Sequence, residues 1–280
     1  MLITSLHSEI VMNDSSPSGI RSIPPRKRVS LVVGKTTLDF AIAFVLFVVT
    51  SPLMLLIAVL VRLTSCGPAL YSQLRVGRGG RPFWIYKFRT MRHGCEKGTG
   101  AQWSLPGDSR ITPVGRFLRA SHLDELPQLI NVLLGQMSLV GPRPERPEFT
   151  PRLSQVIPDY ACRLLVRPGV TGLAQVQLPP DSDLGSVRRK LQYDLWYVER
   201  GSLWLDLRLI VCTAMKVVFL PMPPCCRLLG VPGPVMVERP SGSARIPSEV
   251  ATPEEDFDDV QFSVPVAEQR KSKLVVGVNR

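Results

Sequence analysis

The sequence predicts a mainly α protein with a small β component: a membrane-embedded helix and interfacial helices around a compact domain on the cytosolic side. Three observations predict it. Phe40 to Val61 reads FAIAFVLFVVTSPLMLLIAVLV, an almost wholly apolar run of the roughly 20 residues that cross a bilayer as a helix. Three later stretches carry apolar residues at helical spacing. Aromatic and β-branched strand composition is concentrated in one short segment, Phe83 to Phe88.

Taken in order, residues 1–34 read as a disordered basic lead-in containing the cluster Arg26-Lys27-Arg28. Residues 35–65 form the membrane segment. Ser51-Pro52 interrupts its centre, where proline removes a backbone donor and clashes with the preceding turn. Serine can satisfy the freed carbonyls, so a bend there is tolerable in lipid. Arg26, Lys27, Arg28 and Lys35 precede the apolar run and Arg62, Arg75, Arg78 and Arg81 follow it. Because cations mark the cytoplasmic side, charge on both flanks fits a helix that enters and returns. A proline-kinked transmembrane helix fits the composition equally well.

Residues 66–220 form the cytosolic domain. Gly67-Pro68, Gly77, Gly79-Gly80 and Pro82 punctuate its first part as turns. Leu123, Leu126, Leu129, Ile130, Leu133 and Leu134 mark a helix over 121–135 that Gly135 closes. Residues 186–200 and 202–220 read as two more helices. Trp204, Leu205, Leu207, Leu209, Ile210 and Val211 make the second apolar enough either to lie on a membrane surface or to fill a core. Residues 221–280 are Pro- and Ser-rich and then acidic, from Glu254 to Asp259, and read as a disordered tail.

The 280 residues carry a net charge of +11, which points to an anionic partner: nucleic acid, an acidic membrane face or phosphate-bearing substrates. No aromatic-basic binding motif accompanies the charge, so nucleic acid is not the expected partner. The six cysteines form no C-x-x-C pair and the three histidines have no zinc-ligand spacing with them. This fits a reducing compartment. Walker A, G-x-G-x-x-G and H-E-x-x-H patterns are absent, which removes support for nucleotide hydrolysis, a dinucleotide cofactor and zinc proteolysis.

The residues best suited to chemistry are Asp124 and Glu125 in SHLDELPQLINVLLG. Proline fits most easily into a helix's first turn, so Pro127 places the pair at or just inside a helix start, where the dipole favours carboxylate and phosphate alike. An ionised carboxylate among phosphate-binding cations can attack phosphorus. A structural role competes with this, because Ser121 followed by Asp124 has the spacing of a capping box. Cations in stiff loops shift the balance. Arg89, Arg110, Arg116 and Arg119 precede the pair, and Arg143, Arg146, Arg163 and Arg167 follow it, two of them inside GPRP (141–144) and RPG (167–169). Arginine's planar fork matches phosphate oxygens. A diphosphate substrate would call for Mg²⁺, held by one or two carboxylates plus phosphate, with Glu125 as the ligand.

These segments together resemble the bacterial sugar transferase family, the small monotopic phosphoglycosyl transferases acting on polyprenyl phosphate. The resemblance is carried by GPALYSQLRVGRGGRPFWIYKFRTM (67–91), RITPVGRFLR (110–119), LDELPQLINVLLGQMSLVGPRPE (123–145), RPGVTGLAQV (167–176), YDLWYV and SLWLDLRLI (193–210). His122 stands where the family commonly has a small hydroxyl residue, and Ser109 where proline is common. The resemblance implies a re-entrant helix bent at Ser51-Pro52, with both ends cytoplasmic. It also implies that Asp124 is the nucleophile, forming a covalent phosphosugar intermediate with release of UMP, and that Glu125 is its Mg²⁺-associated partner. Arg119 and Arg143 match positions linked to phosphate binding, and Lys87, Arg89 and Arg167 are assigned with them. The implied substrates are a UDP-sugar and a polyprenyl phosphate such as undecaprenyl phosphate. The implied location is the bacterial inner (cytoplasmic) membrane, active site on the cytoplasmic face. No residue discriminates the sugar.

Overall fold

The computed structural model describes residues 25–95, 107–179, 181, 183–217 and 222–234. The lead-in through residue 24 and most of the tail, including its acidic stretch, lie outside these residues. Helix α1 spans Pro25–Thr64 and carries Pro52 in its interior, so helical structure begins ahead of the boundary expected at residue 35. Ser51 Oγ donates to the carbonyl of Val48 at 2.8 Å and Thr50 Oγ1 to that of Leu46 at 2.7 Å. These hydroxyls occupy carbonyls in the turn that proline disturbs. The helix is long and apolar enough to cross a membrane over Val33–Thr64, and 11% of its most apolar window is buried in the protein. A soluble protein's core helix would be mostly covered. Here Phe44, Val45, Val48, Val49, Leu55 and Leu56 are open.

The expected strand is β2, Pro82–Phe88, and its antiparallel partner is β1, Leu70–Val76. A left-handed Gly79 (φ 64°) and Gly80 (φ 78°) carry the connection, conformations glycine adopts without a Cβ penalty. Next come α2, Pro113–Ala120, and α3, Gln128–Leu133. Strand β3, Ser138–Val140, pairs in parallel with β4, Gly169–Thr171. Between them lie α4, Thr150–Val156, and a 3-10 segment, Tyr160–Leu165. The chain continues through α5, Leu173–Gln177, α6, Leu184–Arg200, and α7, Leu203–Val217. Asp183 caps α6 by accepting from the Ser186 amide at 2.7 Å. A final short helix, α8, Met222–Leu228, corrects the reading of residues 221–280 as disordered throughout. Cys226 and Val231 belong to the main core, and their burial holds this segment down.

The principal core joins Phe83 and Ile85 of β2, Leu129 and Val132 of α3, β3, and the inner faces of α6 and α7. Each fully buried side chain of this size contributes about 1.5–3 kcal/mol. Helix α7 contributes to the core, with Leu205, Leu209 and Cys212 facing inward, whereas Trp204, Leu207 and Val211 are exposed.

Both arms of α1 dock on this domain. Ala43 on the N-terminal arm enters the principal core. Nearby, Lys35 pairs with Asp206 of α7 at 2.7 Å and Asp39 accepts from Ser138 of β3 at 2.7 Å. On the C-terminal arm, Ile57 and Val61 pack with Phe88 and Leu118.

Candidate active site

The acidic pair departs from its expected setting in a way that favours chemistry. Leu123–Glu125 is a single 3-10 turn ahead of α3, and Pro127 is the N-cap residue of that helix. The helix expected over 121–135 is therefore broken, and the pair lies before it rather than in its first turn. The capping box is not formed either. Ser121 ends α2, its hydroxyl donating to the carbonyls of Phe117 at 2.9 Å and Leu118 at 3.3 Å. Two residues before Asp124, His122 adopts a left-handed φ of 56°, a conformation uncommon outside glycine that serves here to turn the chain. It brings Asp124 and Glu125 inward, where they are 7% and 8% exposed.

Glu125 is locked. Its Oε1 accepts from Lys87 Nζ of β2 at 2.7 Å and from Arg143 Nη2 of the GPRP loop at 2.9 Å. Burial pushes its carboxyl up, but Arg143 and Lys87 outweigh that and hold it well below the usual carboxylate range. The same contact raises Arg143. Burial lowers the Lys87 ammonium, with Glu125 opposing. Asp124 differs: it has no hydrogen-bond partner among the described residues. Burial and the neighbouring Glu125 charge push its carboxyl up to about 6, against Lys87, Arg143 and Arg119. Three cations thus act on two carboxylates, leaving positive charge to receive an anionic substrate.

Tight backbone packing positions Arg143. The Gly141 amide donates to Thr171 at 2.9 Å and the Gly169 amide to Pro142 at 2.9 Å. A Cβ on Gly169 would collide with the backbone of Gly141 and Thr171, which explains glycine in both turns. Arg163, paired with Asp194 of α6 at 2.8 Å, donates to the Arg143 carbonyl at 2.8 Å. Arg75 donates to the Pro144 carbonyl at 3.0 Å.

The structure does not bring every expected cation to the pair. Arg119 is near: its Nε donates to Thr90 Oγ1 at 2.8 Å and its charge acts on Asp124. Arg89 instead turns to the carboxyl end of α1, donating to the Ser65 carbonyl at 2.6 Å and to Ser65 Oγ at 2.8 Å. A cation there complements the helix dipole. Here it fastens the end of α1. Arg167 binds Thr36 Oγ1 at 3.1 Å on the opposite arm of α1 and likewise does not reach the pair. Arg110 pairs with Asp108. Ser51 and Pro52 lie on the exposed middle of α1, away from this cluster. Two contributors had no signal in the acidic motif itself. Thr90 holds Arg119, and Lys216 of α7 lies near enough for its charge to act on His122 and Glu125. A single lysine in a largely apolar helix was the available clue.

No cluster of three or more His, Cys, Asp or Glu side chains suited to a metal is found among the described residues. Mg²⁺ needs no such cage, because it takes one or two carboxylates and completes its shell with water and substrate phosphate. Glu125 accepts both ion pairs on Oε1, so Oε2 is left for such a ligand, beside the unpartnered Asp124.

A UDP-glucose:undecaprenyl-phosphate glucose-1-phosphate transferase of Xanthomonas campestris pv. campestris is 46% identical over 188 residues, 66% of this chain and 39% of the relative. A similarly named protein of Caulobacter vibrioides is 45% identical over 191 residues, 68% of this chain and 71% of the relative. An Aeromonas hydrophila UDP-N-acetylgalactosamine-undecaprenyl-phosphate N-acetylgalactosaminephosphotransferase is 45% identical over 179 residues, 64% of this chain and 42% of the relative. The chain thus spans about two fifths of the Xanthomonas and Aeromonas proteins. The family described as Bacterial sugar transferase matches residues 30–220, a segment that contains most of α1, the acidic pair and both arginine turns. The chain belongs to the bacterial sugar transferase family.

Proposed function

We propose that this protein transfers a sugar-1-phosphate from a UDP-sugar to a polyprenyl phosphate, undecaprenyl phosphate in bacteria, as the first membrane step of polysaccharide or glycoconjugate synthesis. The observation that carries the reading is the division of labour between neighbours. Glu125 is pinned by Lys87 and Arg143, while Asp124 is buried, unpartnered and within the field of three cations. The names of the relatives supply the substrate classes.

In the first step a carboxylate oxygen of Asp124 attacks the sugar-bearing phosphorus, and the bond from that phosphorus to the bridging oxygen breaks. UMP leaves and the sugar phosphate remains on Asp124. In the second step a phosphate oxygen of the lipid attacks the same phosphorus. The Asp124–phosphorus bond breaks, the carboxylate is regenerated and the lipid diphosphate-sugar departs. Arg119 and Arg143 hold the substrate phosphates, and Lys87 keeps Glu125 ionised and oriented. Mg²⁺, held by Glu125 and diphosphate oxygens, would neutralise charge on the leaving group.

The reading places the site at the cytoplasmic face of the inner membrane, with α1 as a re-entrant helix bent at Ser51-Pro52. Its support is that Lys35 and Asp39 on one arm and Ile57 and Val61 on the other are tied to one domain. A straight span would carry one arm roughly 30 Å away.

The test uses membranes containing the full chain, a panel of UDP-sugars including UDP-glucose and UDP-N-acetylgalactosamine, and polyprenyl phosphate. UMP release is expected with at least one donor. Asp124→Asn is expected to lower it by at least a thousandfold while the folded protein is retained. Wild-type turnover in that variant contradicts the proposal.

A further inference from the structure

Gln128 is the first residue of α3 and fully buried, and its amide nitrogen has no hydrogen-bond partner among the described residues. Buried donors are rarely left without an acceptor, because losing water without replacing it is costly. The other polar side chain of this helix shows the usual outcome. Asn131 is equally buried, but its Oδ1 accepts from the Tyr86 amide at 3.1 Å. Its Nδ2 donates to the Trp84 carbonyl at 2.7 Å and to Gln136 Oε1 at 2.8 Å. Asn131 ties α3 to β2. Gln128 makes no such tie.

Backbone geometry fixes where Gln128 stands. Leu123–Glu125 form a 3-10 turn, Leu126 and Pro127 keep right-handed helical angles, and α3 continues from Gln128. On such a path residues three and four apart are neighbours, and side chains lean over the turn before them. Gln128 therefore stands over Glu125 and Asp124, three and four residues earlier. Contacts on either side mark the same face. Three residues before Gln128, Glu125 meets Lys87 Nζ of β2 at 2.7 Å; three residues after it, Asn131 meets Tyr86 of the same strand. Asp124 and Gln128 are thus buried polar side chains one turn apart, each without a hydrogen-bond partner among the described residues. One ligand satisfies both: a phosphorus centre that bonds to the carboxylate and offers an oxygen to the amide.

We propose that Gln128 is a catalytic residue whose amide donates to a non-bridging oxygen of the phosphoryl group that Asp124 attacks. This rests on the transferase reading. As the bond from Asp124 to phosphorus forms and the bond to the UMP oxygen breaks, the non-bridging oxygens carry the charge. The amide stabilises that charge and exchanges no proton.

The experiment uses the full chain in nanodiscs with a donor that the wild type turns over, and reads single-turnover UMP release and Tm. UDP-sugar binding is measured in the Asp124→Asn background, so that no adduct forms. Gln128→Met removes the donor at similar volume and is expected to slow UMP release about a hundred- to thousandfold. UDP-sugar binding is expected to stay within about threefold. The Tm is expected to be equal or higher, because an unpaired buried amide has been removed. Gln128→Leu is expected to behave alike and serves if the methionine variant does not accumulate as folded protein. UMP release close to the wild-type rate overturns the assignment. A lowered Tm with activity lost in step with folded protein also overturns it, because that marks a structural role. So does a weakening of UDP-sugar binding as large as the loss of rate. A wild-type chain that releases no UMP from any donor overturns the transferase reading and this role together, whereas normal wild-type turnover beside an unaffected variant overturns this role alone.

Discussion

Asp124 and Glu125 are adjacent and almost equally buried, yet their protonation is driven in opposite directions because Glu125 takes both ion pairs. Environments that push two carboxyls apart separate their roles. In the proposed mechanism Asp124 is ionised when it attacks, so UMP release in a single turnover is expected to level off above pH 6 and to fall roughly tenfold per pH unit below it. A flat profile from pH 5 to 8 would show that another group is the nucleophile. The same shift has a consequence for stability. The folded-state value of about 6 lies above the ordinary 3.8, so the protonated form is favoured by folding. That contribution is fully present below about pH 4 and is lost as pH rises through 6. At pH 7.5 Asp124→Asn removes the cost of burying the charge. It is expected to raise stability by roughly 3 kcal/mol, seen as a higher Tm at pH 7.5 and little change at pH 4.

At the scale of elements, the site depends on short pieces held by backbone proximity rather than on long helices. The parallel pairing of β3 with β4 and the reciprocal amides of Gly141 and Gly169 place the GPRP loop, hence Arg143, against Glu125. Gly169→Ala introduces a Cβ into the Gly141 backbone, which neither chain segment can accommodate in place. The expected result is a loss of at least ~2 kcal/mol in thermal unfolding, together with a fall in transfer activity. An unchanged Tm would mean the two turns are not in register as described.

For the whole molecule, the decisive feature is that both arms of α1 are fastened to one domain, by Lys35–Asp206 and Asp39–Ser138 at one end and by Arg89–Ser65 at the other. The exposed apolar residues of its middle, among them Phe44, Val48, Leu55 and Leu56, are the part that the proposed re-entrant topology puts in lipid. Epitope tags placed before residue 25 and after residue 234 are expected to be reached by protease from the same side of the membrane. Protection of one tag and cleavage of the other would show a spanning helix.

The sequence by itself determined the elements whose periodicity is local: the apolar run of α1, strand β2, and helices α6 and α7. It also determined the acidic pair, because adjacent carboxylates beside Pro127 and among arginine-bearing turns carry a chemical meaning that spacing alone conveys. It could not sort the arginines. Arg89, Arg143 and Arg167 are the same residue type, and only the three-dimensional path of the chain sends Arg143 to Glu125, Arg89 to the end of α1 and Arg167 to Thr36. Nor could it anticipate the break at His122, the short α8, or Lys216 near the pair. Each depends on contacts between residues far apart in the chain, where burial and charge pairing outweigh local propensity.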